Sequence, residues 1–325
     1  MMNENHVRRR GVLTGAAALL ATPALAQRRW PERPVRFIFP FTAGSAVDVA
    51  IRIVASDLSE RLGQQFVVDN RVGGAGNVGT EAAARSRPDG DTFLVGTPGN
   101  MAINPAMTRN LPYDAARDFV AVTHILSFPQ VLVVSPDLPV RTLPELTAYT
   151  RERPGRLNYA SSGIGSTNHL AMEMIRAATG LDAVHVPYRG GNLTVQAILS
   201  GDVQMCIEGI VSLPPLLADN KLRAIAVTTP VRAPMLPDVP AVAETVPGFD
   251  ASAWIILFAP AGTPTPIQER LAEEVRTSLS RPAVRDRLVE RGGTVLGNTP
   301  AEAAAFHTNE LAKWRRAVDA LGIAG

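Results

Sequence analysis

The chain has 325 residues, 46% of them hydrophobic and 19% charged, and a formal net charge of +2. This is ordinary globular composition at a length beyond what one core usually supports, so two domains are expected. The single cysteine, Cys206, excludes an internal disulfide and a cysteine metal cage.

The N-terminus reads as an address. Arg8, Arg9 and Arg10 precede an apolar run from Val12 to Leu20, and Ala24 and Ala26 form an A-x-A cleavage site that makes Gln27 the expected mature start. The run is shorter than the ~20 residues that span a bilayer, which favours a cleaved signal over an uncleaved anchor with a basic flank. Arg9-Arg10-Gly11-Val12-Leu13 also fits the twin-arginine pattern. Residues 1–26 carry three arginines against one acid, Glu4, so their removal brings the formal charge to zero. A neutral mature chain gives no electrostatic reason to bind nucleic acid. No later stretch is long and apolar enough to cross a membrane, so the mature protein is expected in the periplasm.

Beyond the signal, short β-branched runs alternate with helical patterns, the mark of an α/β fold. Val35–Phe39 reads as the first strand. A helix follows from Val47, with apolar positions through Ala55, Leu58 and Leu62 and a stop at Gly63. Phe66–Val68 and Phe93–Gly96 are the next strands, and Val131–Val134 opens a second α/β series. In that series Leu157–Ala160, Val184–Val186, Val203–Ile207 and Leu222–Val227 read as strands. Thr167–Thr179, Leu193–Leu199 and Leu213–Ala218 read as helices. The proline-rich stretch 230–247 cannot be regular structure. Trp254–Phe258 is a last strand, and two helices begin near Pro264 and Pro300, where an N1 proline is tolerated. If the strands near 131–134 and 254–258 both cross between domains, residues 27–128 and 250–325 form a discontinuous first domain and 129–249 the second. The ligand cleft then lies at the crossover.

Three joints are rich in small residues. In Pro40–Asp48, Gly44 and Ser45 let N–H groups converge at a helix N-terminus, whose partial positive charge attracts a carboxylate without an arginine. An ordinary connection with Asp48 as a first-turn acid fits that joint equally well. Ser161-Ser-Gly-Ile-Gly-Ser-Thr167 is the stronger anion candidate, with four hydroxyls and two glycines in seven residues. The third joint contains Gly74-Ala-Gly76-Asn-Val-Gly79, a literal G-x-G-x-x-G. It starts four residues after the polar pair Asp69-Asn70, and Thr97-Pro98-Gly99 stands where a ribose-binding acid belongs, so no dinucleotide cofactor is expected.

Enzyme signals are thin. Ser166 and His169 lie one helical turn apart, which alone does not make a nucleophile and base. No G-x-S-x-G elbow occurs. The five histidines, at 6, 124, 169, 185 and 307, show no metal-ligand spacing and read as surface or half-buried structural residues.

Along nearly the whole mature chain these residues resemble the Bug receptors, the periplasmic components of tripartite tricarboxylate transporters. Pro40-Phe41…Gly44…Asp48 is similar to their P-F-x-P-G-G-x-x-D turn, and Asp69-Asn-Arg71…Gly79 to their N-R-x-G-A-G-G-N-x-G segment. Pro88-Asp-Gly90, Asn104-Pro105, Tyr159–Ser166 with His169-Leu-Ala, His185–Gly190, Lys221–Ala224, Leu236–Pro240 and Ala259–Pro264 continue the likeness in order. The resemblance implies a two-domain periplasmic binding protein of Venus-flytrap, type II-like form. It implies a small carboxylate held by Phe41, Thr42, Gly44, Ser45 and Asp48 from one domain and Ser161, Ser162, Gly163, Gly165, Ser166 and Thr167 from the other. It implies delivery by a monomer to two integral membrane subunits, with no cofactor, metal or catalysis, and a structural role for the third turn.

Ala43, Ser45 and Met101 depart from the family pattern, and Glu208 stands where an aspartate is common. A carboxylate at Glu208 would repel a second ligand carboxylate in a desolvated cleft. Monocarboxylates bearing an ammonium, hydroxyl or amide are therefore expected over simple dicarboxylates.

Two other readings compete: an exported enzyme, either a hydrolase using Ser166 with His169 or a cofactor protein, and a receptor feeding a membrane sensor. The export route is separately testable. Arg9→Lys with Arg10→Lys keeps the charge and should leave precursor in the cytoplasm of a fractionated cell. Undiminished export of the double variant would assign the chain to the general secretory route.

Overall fold

The computed structural model describes residues 30–188 and 191–323. The export signal expected at 1–26 lies outside them. The described chain folds into two sheets, each flanked by helices, in a mixed α/β arrangement.

The first sheet contains β1 (Val35–Phe39), β2 (Phe66–Asn70), β3 (Thr92–Gly96), β4 (Phe119–Phe128), β10 (Ala253–Pro260) and β11 (Thr294–Val295), in the order β11-β4-β10-β3-β1-β2. β1 runs parallel to β2 and β3, while β10 runs antiparallel to β3 and β4. Its helices are α1 (Ala46–Leu62), α2 (Asn77–Ala84), α3 (Asn104–Met107), α8 (Thr265–Ser280), α9 (Pro282–Val289) and α10 (Pro300–Leu321). The second sheet contains β5 (Gln130–Val134), β6 (Asn158–Ser161), β7 (Val184–Pro187), β8 (Met205–Gly209) and β9 (Arg223–Val227), in the order β7-β6-β8-β5-β9. Its helices are α4 (Leu143–Arg151), α5 (Thr167–Thr179), α6 (Gly191–Leu199) and α7 (Pro214–Ala218).

Local chemistry sets the ends of these elements. Ser45 caps α1, its Oγ accepting the Asp48 N–H at 3.2 Å, and Gly63 ends the helix at φ 65°. α5 begins at the Ser166 cap and stops at Gly180, φ 71°. Left-handed backbone of this kind favours glycine.

The strands at 131–134 and 254–258 do not cross between the sheets. β5 lies wholly in the second and β10 wholly in the first. The chain passes over at Pro129 and returns between Thr228 and Ser252. The outgoing and returning segments are bonded where they cross: Gln130 N–H donates to Thr228 Oγ1 at 3.2 Å and Thr228 N–H to Gln130 O at 2.8 Å. β4 and α4 are absent from the sequence reading. β4 is buried on both faces, so its residues do not alternate.

The first core begins with Trp30, Phe37, Phe66 and Phe93, packed edge to face at centroid distances of 5.6–6.2 Å. α10 covers β4 and also packs against α5, so it touches both domains. Inside this layer Trp254 and Trp314 are fully buried, and both indole N–H groups donate to Glu310 Oε2, at 2.8 and 2.9 Å. Lys313 pairs with the other carboxylate oxygen. Each buried donor left unpaired costs about 1–3 kcal/mol. Glu310→Leu should therefore lower the unfolding free energy by ~2–5 kcal/mol, read from denaturant titration, and Glu310→Gln by less. A loss below about 1 kcal/mol for Glu310→Leu would mean that the indoles do not depend on this carboxylate.

Candidate functional site

A cavity of about 430 Å³ lies between the two sets of loops. Its first wall is Phe41 after β1, Ala75 after β2, Thr97 and Gly99 after β3, and Asn104 at the start of α3. Its second wall is Gln130, the whole run 162–168 between β6 and α5, and Ile207, Glu208 and Gly209 at the end of β8. Both walls follow the carboxyl ends of parallel strands, where α/β sheets place ligands. A groove of about 560 Å³ along residues 105–118 and α10 is larger, but residues of one domain alone line it.

The second wall is organised by Asn168. Its Oδ1 accepts from Ser162 Oγ at 3.0 Å and from Ser162 N–H at 3.3 Å, and lies 2.6 Å from Ser166 Oγ. Its Nδ2 donates to Ile207 O at 3.2 Å, tying the loop to β8. Ser166 Oγ also lies 2.6 Å from Gly163 O and accepts the His169 N–H at 3.4 Å. The Ser162 and Ser166 hydroxyls thus turn inward, where the sequence suggested free donors. What remains in the wall is the Thr167 side chain and the backbone of the helix end. Thr167 and Asn168 occupy the first turn of α5, where no helix carbonyl can accept their N–H groups. Gly163 (φ 130°) and Gly165 (φ 78°) give the loop the backbone shape that exposes this helix end.

The first wall is held from behind by Asp48. It is buried, and its carboxylate accepts from Gly44 N–H (3.0 Å), Arg52 Nε (2.9 Å) and Asn70 Nδ2 (2.9 Å). Burial alone would push its pKa up; the hydrogen bonds from Arg52, Gly44 and Asn70 outweigh burial and hold it below the ordinary value. Asn70 also donates to Phe41 O at 3.0 Å, so this knot fixes the residue that reaches the cavity. Phe41 rests on the third turn: a Cβ at Gly76 would stand 3.0 Å from its ring, and φ there is 94°. The G-x-G-x-x-G run is therefore a seat for Phe41, and Ala75 within it reaches the cavity wall.

Of the residues singled out from sequence, Phe41, Ser162, Gly163, Gly165, Ser166, Thr167 and Glu208 line the cavity. Thr42, Gly44, Ser45, Asp48 and Ser161 do not. Ser45 is a helix cap, and Ser161 is buried with its Oγ 2.6 Å from His185 Nε2. Met101 is fully buried in the core, so its departure from the family pattern does not bear on the cleft. Ala75, Thr97, Gly99, Asn104, Gln130, Ile164, Asn168, Ile207 and Gly209 also line the cavity and were not singled out from sequence. Asn104 stood in a recognised motif, while Gln130 carried no signal because its place depends on where the chain crosses.

Glu208 is the one charged side chain in the wall among the described residues. It accepts from Thr194 Oγ1 at 2.8 Å and from Gly209 N–H at 3.1 Å. Burial raises its pKa despite those bonds. Beside it, Gln130 has a buried side-chain oxygen with no partner. Ser166 and His169 do not form a nucleophile–base pair: the Ser166 hydroxyl faces Asn168 and Gly163, and the imidazole Nδ1 accepts the Gly165 N–H at 3.2 Å. No described helix is long and apolar enough to cross a membrane.

Comparison with known proteins agrees with this architecture. Residues 50–323 match the family described as tripartite tricarboxylate transporter family receptor. BugT of Bordetella pertussis is 33% identical over 309 residues, covering 94% of each chain. Rpa4515 of R. palustris, solved with adipate, is 38% identical with a TM-score of 0.82, covering 91% of this chain and 99% of that one. MatC (Rpa3494) from Rhodopseudomonas palustris, solved with bound malate, is 30% identical with a TM-score of 0.77, covering 89% and 99%. With two domains, a cleft between their loops and this sequence match over most of its length, the chain belongs to the Bug family of tripartite tricarboxylate transporter receptors.

Proposed function

We propose that the mature chain, released after Ala26 into the periplasm, works as a monomer that captures one small organic acid in this cleft and delivers it to two integral membrane subunits. Residues 27–128 with 250–325 form one closing lobe and 129–249 the other. The observation that carries this reading is the N-terminus of a 13-residue helix opening onto a wall that holds no cationic side chain among its described residues. A carboxylate there meets the N–H groups of Thr167 and Asn168, the Thr167 hydroxyl and the positive end of α5. Gly163, Gly165, Ser162 and Ser166 shape that end. Ser161 supports it from behind, as Thr42, Gly44, Ser45 and Asp48 support Phe41. Phe41 faces the aliphatic part of the ligand.

Glu208 sets the far end. As a carboxylate it favours a hydroxyl, ammonium or amide donor and opposes a second carboxylate. The relatives solved with adipate and malate support a second reading, in which the ligand is a diacid. Its far carboxyl could then meet Glu208 only if one of the two carries a proton.

A thermal-shift panel separates the readings. It comprises hydroxy acids, amino acids, the diacids adipate and malate, and the neutral amides of each. A ligand at about 100 times Kd stabilises its receptor by ~2.7 kcal/mol, a readable shift in Tm. Acids should stabilise and fully amidated analogues should not; equal shifts would remove the carboxylate site. Donor-bearing monoacids should lead, and Glu208→Gln should improve adipate binding about tenfold, the equivalent of ~1.4 kcal/mol. Simple diacids leading in the unmodified protein would overturn the role given to Glu208.

A further inference from the structure

Behind the second wall lies a group of side chains that ligand capture, as described, does not use. Tyr159, His185 and His169 stack in a column, with 4.8 Å between the first two ring centroids and 4.1 Å between the two imidazoles. Each imidazole is tied to one of the two loop glycines. His169 Nδ1 accepts the Gly165 N–H at 3.2 Å, which places its proton on Nε2. His185 Nε2 lies 2.6 Å from Ser161 Oγ, and that hydroxyl accepts the Gly163 N–H at 3.2 Å and donates to Gly163 O at 3.1 Å. The backbone that exposes the α5 N-terminus is therefore held at its two left-handed glycines by two neutral imidazoles.

We propose that His169 is a positioning residue for ligand capture: as a neutral ring it holds the Gly165 N–H and so fixes the loop that exposes the helix end, and on protonation it releases that loop. This rests on the site assigned above. A protonated Nδ1 is a donor, so it would face the Gly165 N–H donor to donor. The partner imidazole, stacked 4.1 Å away, cannot share the charge.

The surroundings keep both rings neutral. Burial lowers the His169 pKa below its ordinary 6.5, Glu173 on the same helix works against this, and Arg176 adds to it. Burial, then His169 itself, lowers His185 to about 4. Glu173 is engaged by the Tyr159 hydroxyl and by Arg176. From α10, Glu310 and Lys313 are paired with each other, and among the described residues no ion pair or hydrogen bond from α10 or β8 reaches His169. A histidine whose folded pKa is depressed contributes stability that is present above its unfolded value and lost as the pH falls through the folded one. Release of the loop therefore belongs to the acid side of pH 6.5.

The loop can be tested without a ligand. Nitrogen-15 spectra of histidine-labelled protein at pH 7.5 should show His169 protonated on Nε2. Hydrogen-exchange protection of the Gly165 amide should fall in step with His169 titration. His169→Asn retains an acceptor at the δ position and should keep protection at pH 7.5 and through pH 5. His169→Phe retains the ring without the acceptor and should lose at least tenfold in protection at pH 7.5, with no further loss on acidification. A proton on Nδ1 at pH 7.5, or protection that ignores His169 titration, overturns the proposal on unmodified protein alone, whether or not His169→Phe folds. Adipate supplies the binding probe: its Kd should rise about tenfold per pH unit below the His169 titration and stay flat over that range in His169→Asn. Equal acid weakening in both proteins also overturns it. If the loop behaves as expected but no acid of the panel stabilises the protein, this inference stands and the carboxylate reading falls.

Discussion

The carboxylate proposed for this cleft would sit against a wall that contains no arginine, lysine or histidine side chain among its described residues and does contain Glu208. Without a cation, the proposed attraction rests on peptide N–H groups at a helix end, and these work only when aimed. Aiming is done by backbone that ordinary residues avoid, at Gly163 and Gly165, and by side chains that fill the loop from inside. Asn168 has the largest share: one amide gathers Ser162 and approaches Ser166 while anchoring to β8. Its place in the first turn of α5 also leaves its own N–H without a helix carbonyl to bond.

The first domain solves a simpler problem. It presents an aromatic face and a few amides, and it must hold them still. The knot of Asp48, Arg52 and Asn70 does this through the Phe41 carbonyl, and the glycine-rich turn does it by leaving room beneath the ring. A charged network on one side and a missing Cβ on the other fix the same side chain.

Much of this was legible in the sequence, and unevenly so. α5 appeared with its observed limits because its cap, apolar spacing and terminal glycine all agree. The two candidate loops were visible as clusters of small residues at strand–helix joints. What each residue does there was not, since Ser161, Ser162 and Ser166 look equivalent in sequence yet one is buried and two turn toward Asn168. β4 escaped because a strand buried on both faces has no alternation. Gln130 escaped because its role depends on where the chain changes sheets. Asp48, read either as ligand contact or first-turn acid, proved to have its oxygens occupied by protein donors.

The reciprocal pair of bonds between Gln130 and Thr228 has a mechanical meaning. The two covalent links between the lobes are stitched into one narrow ribbon at the point where they pass. A ribbon of this kind bends and twists readily, but it resists stretching along its length and sliding of one strand past the other. If the lobes close as proposed, such a ribbon would leave them angular freedom and little translational freedom. Gln130 also lines the cavity, so the ribbon that joins the lobes forms part of the cleft wall. Changing the ribbon would alter the swing of the lobes and the shape of the cleft together.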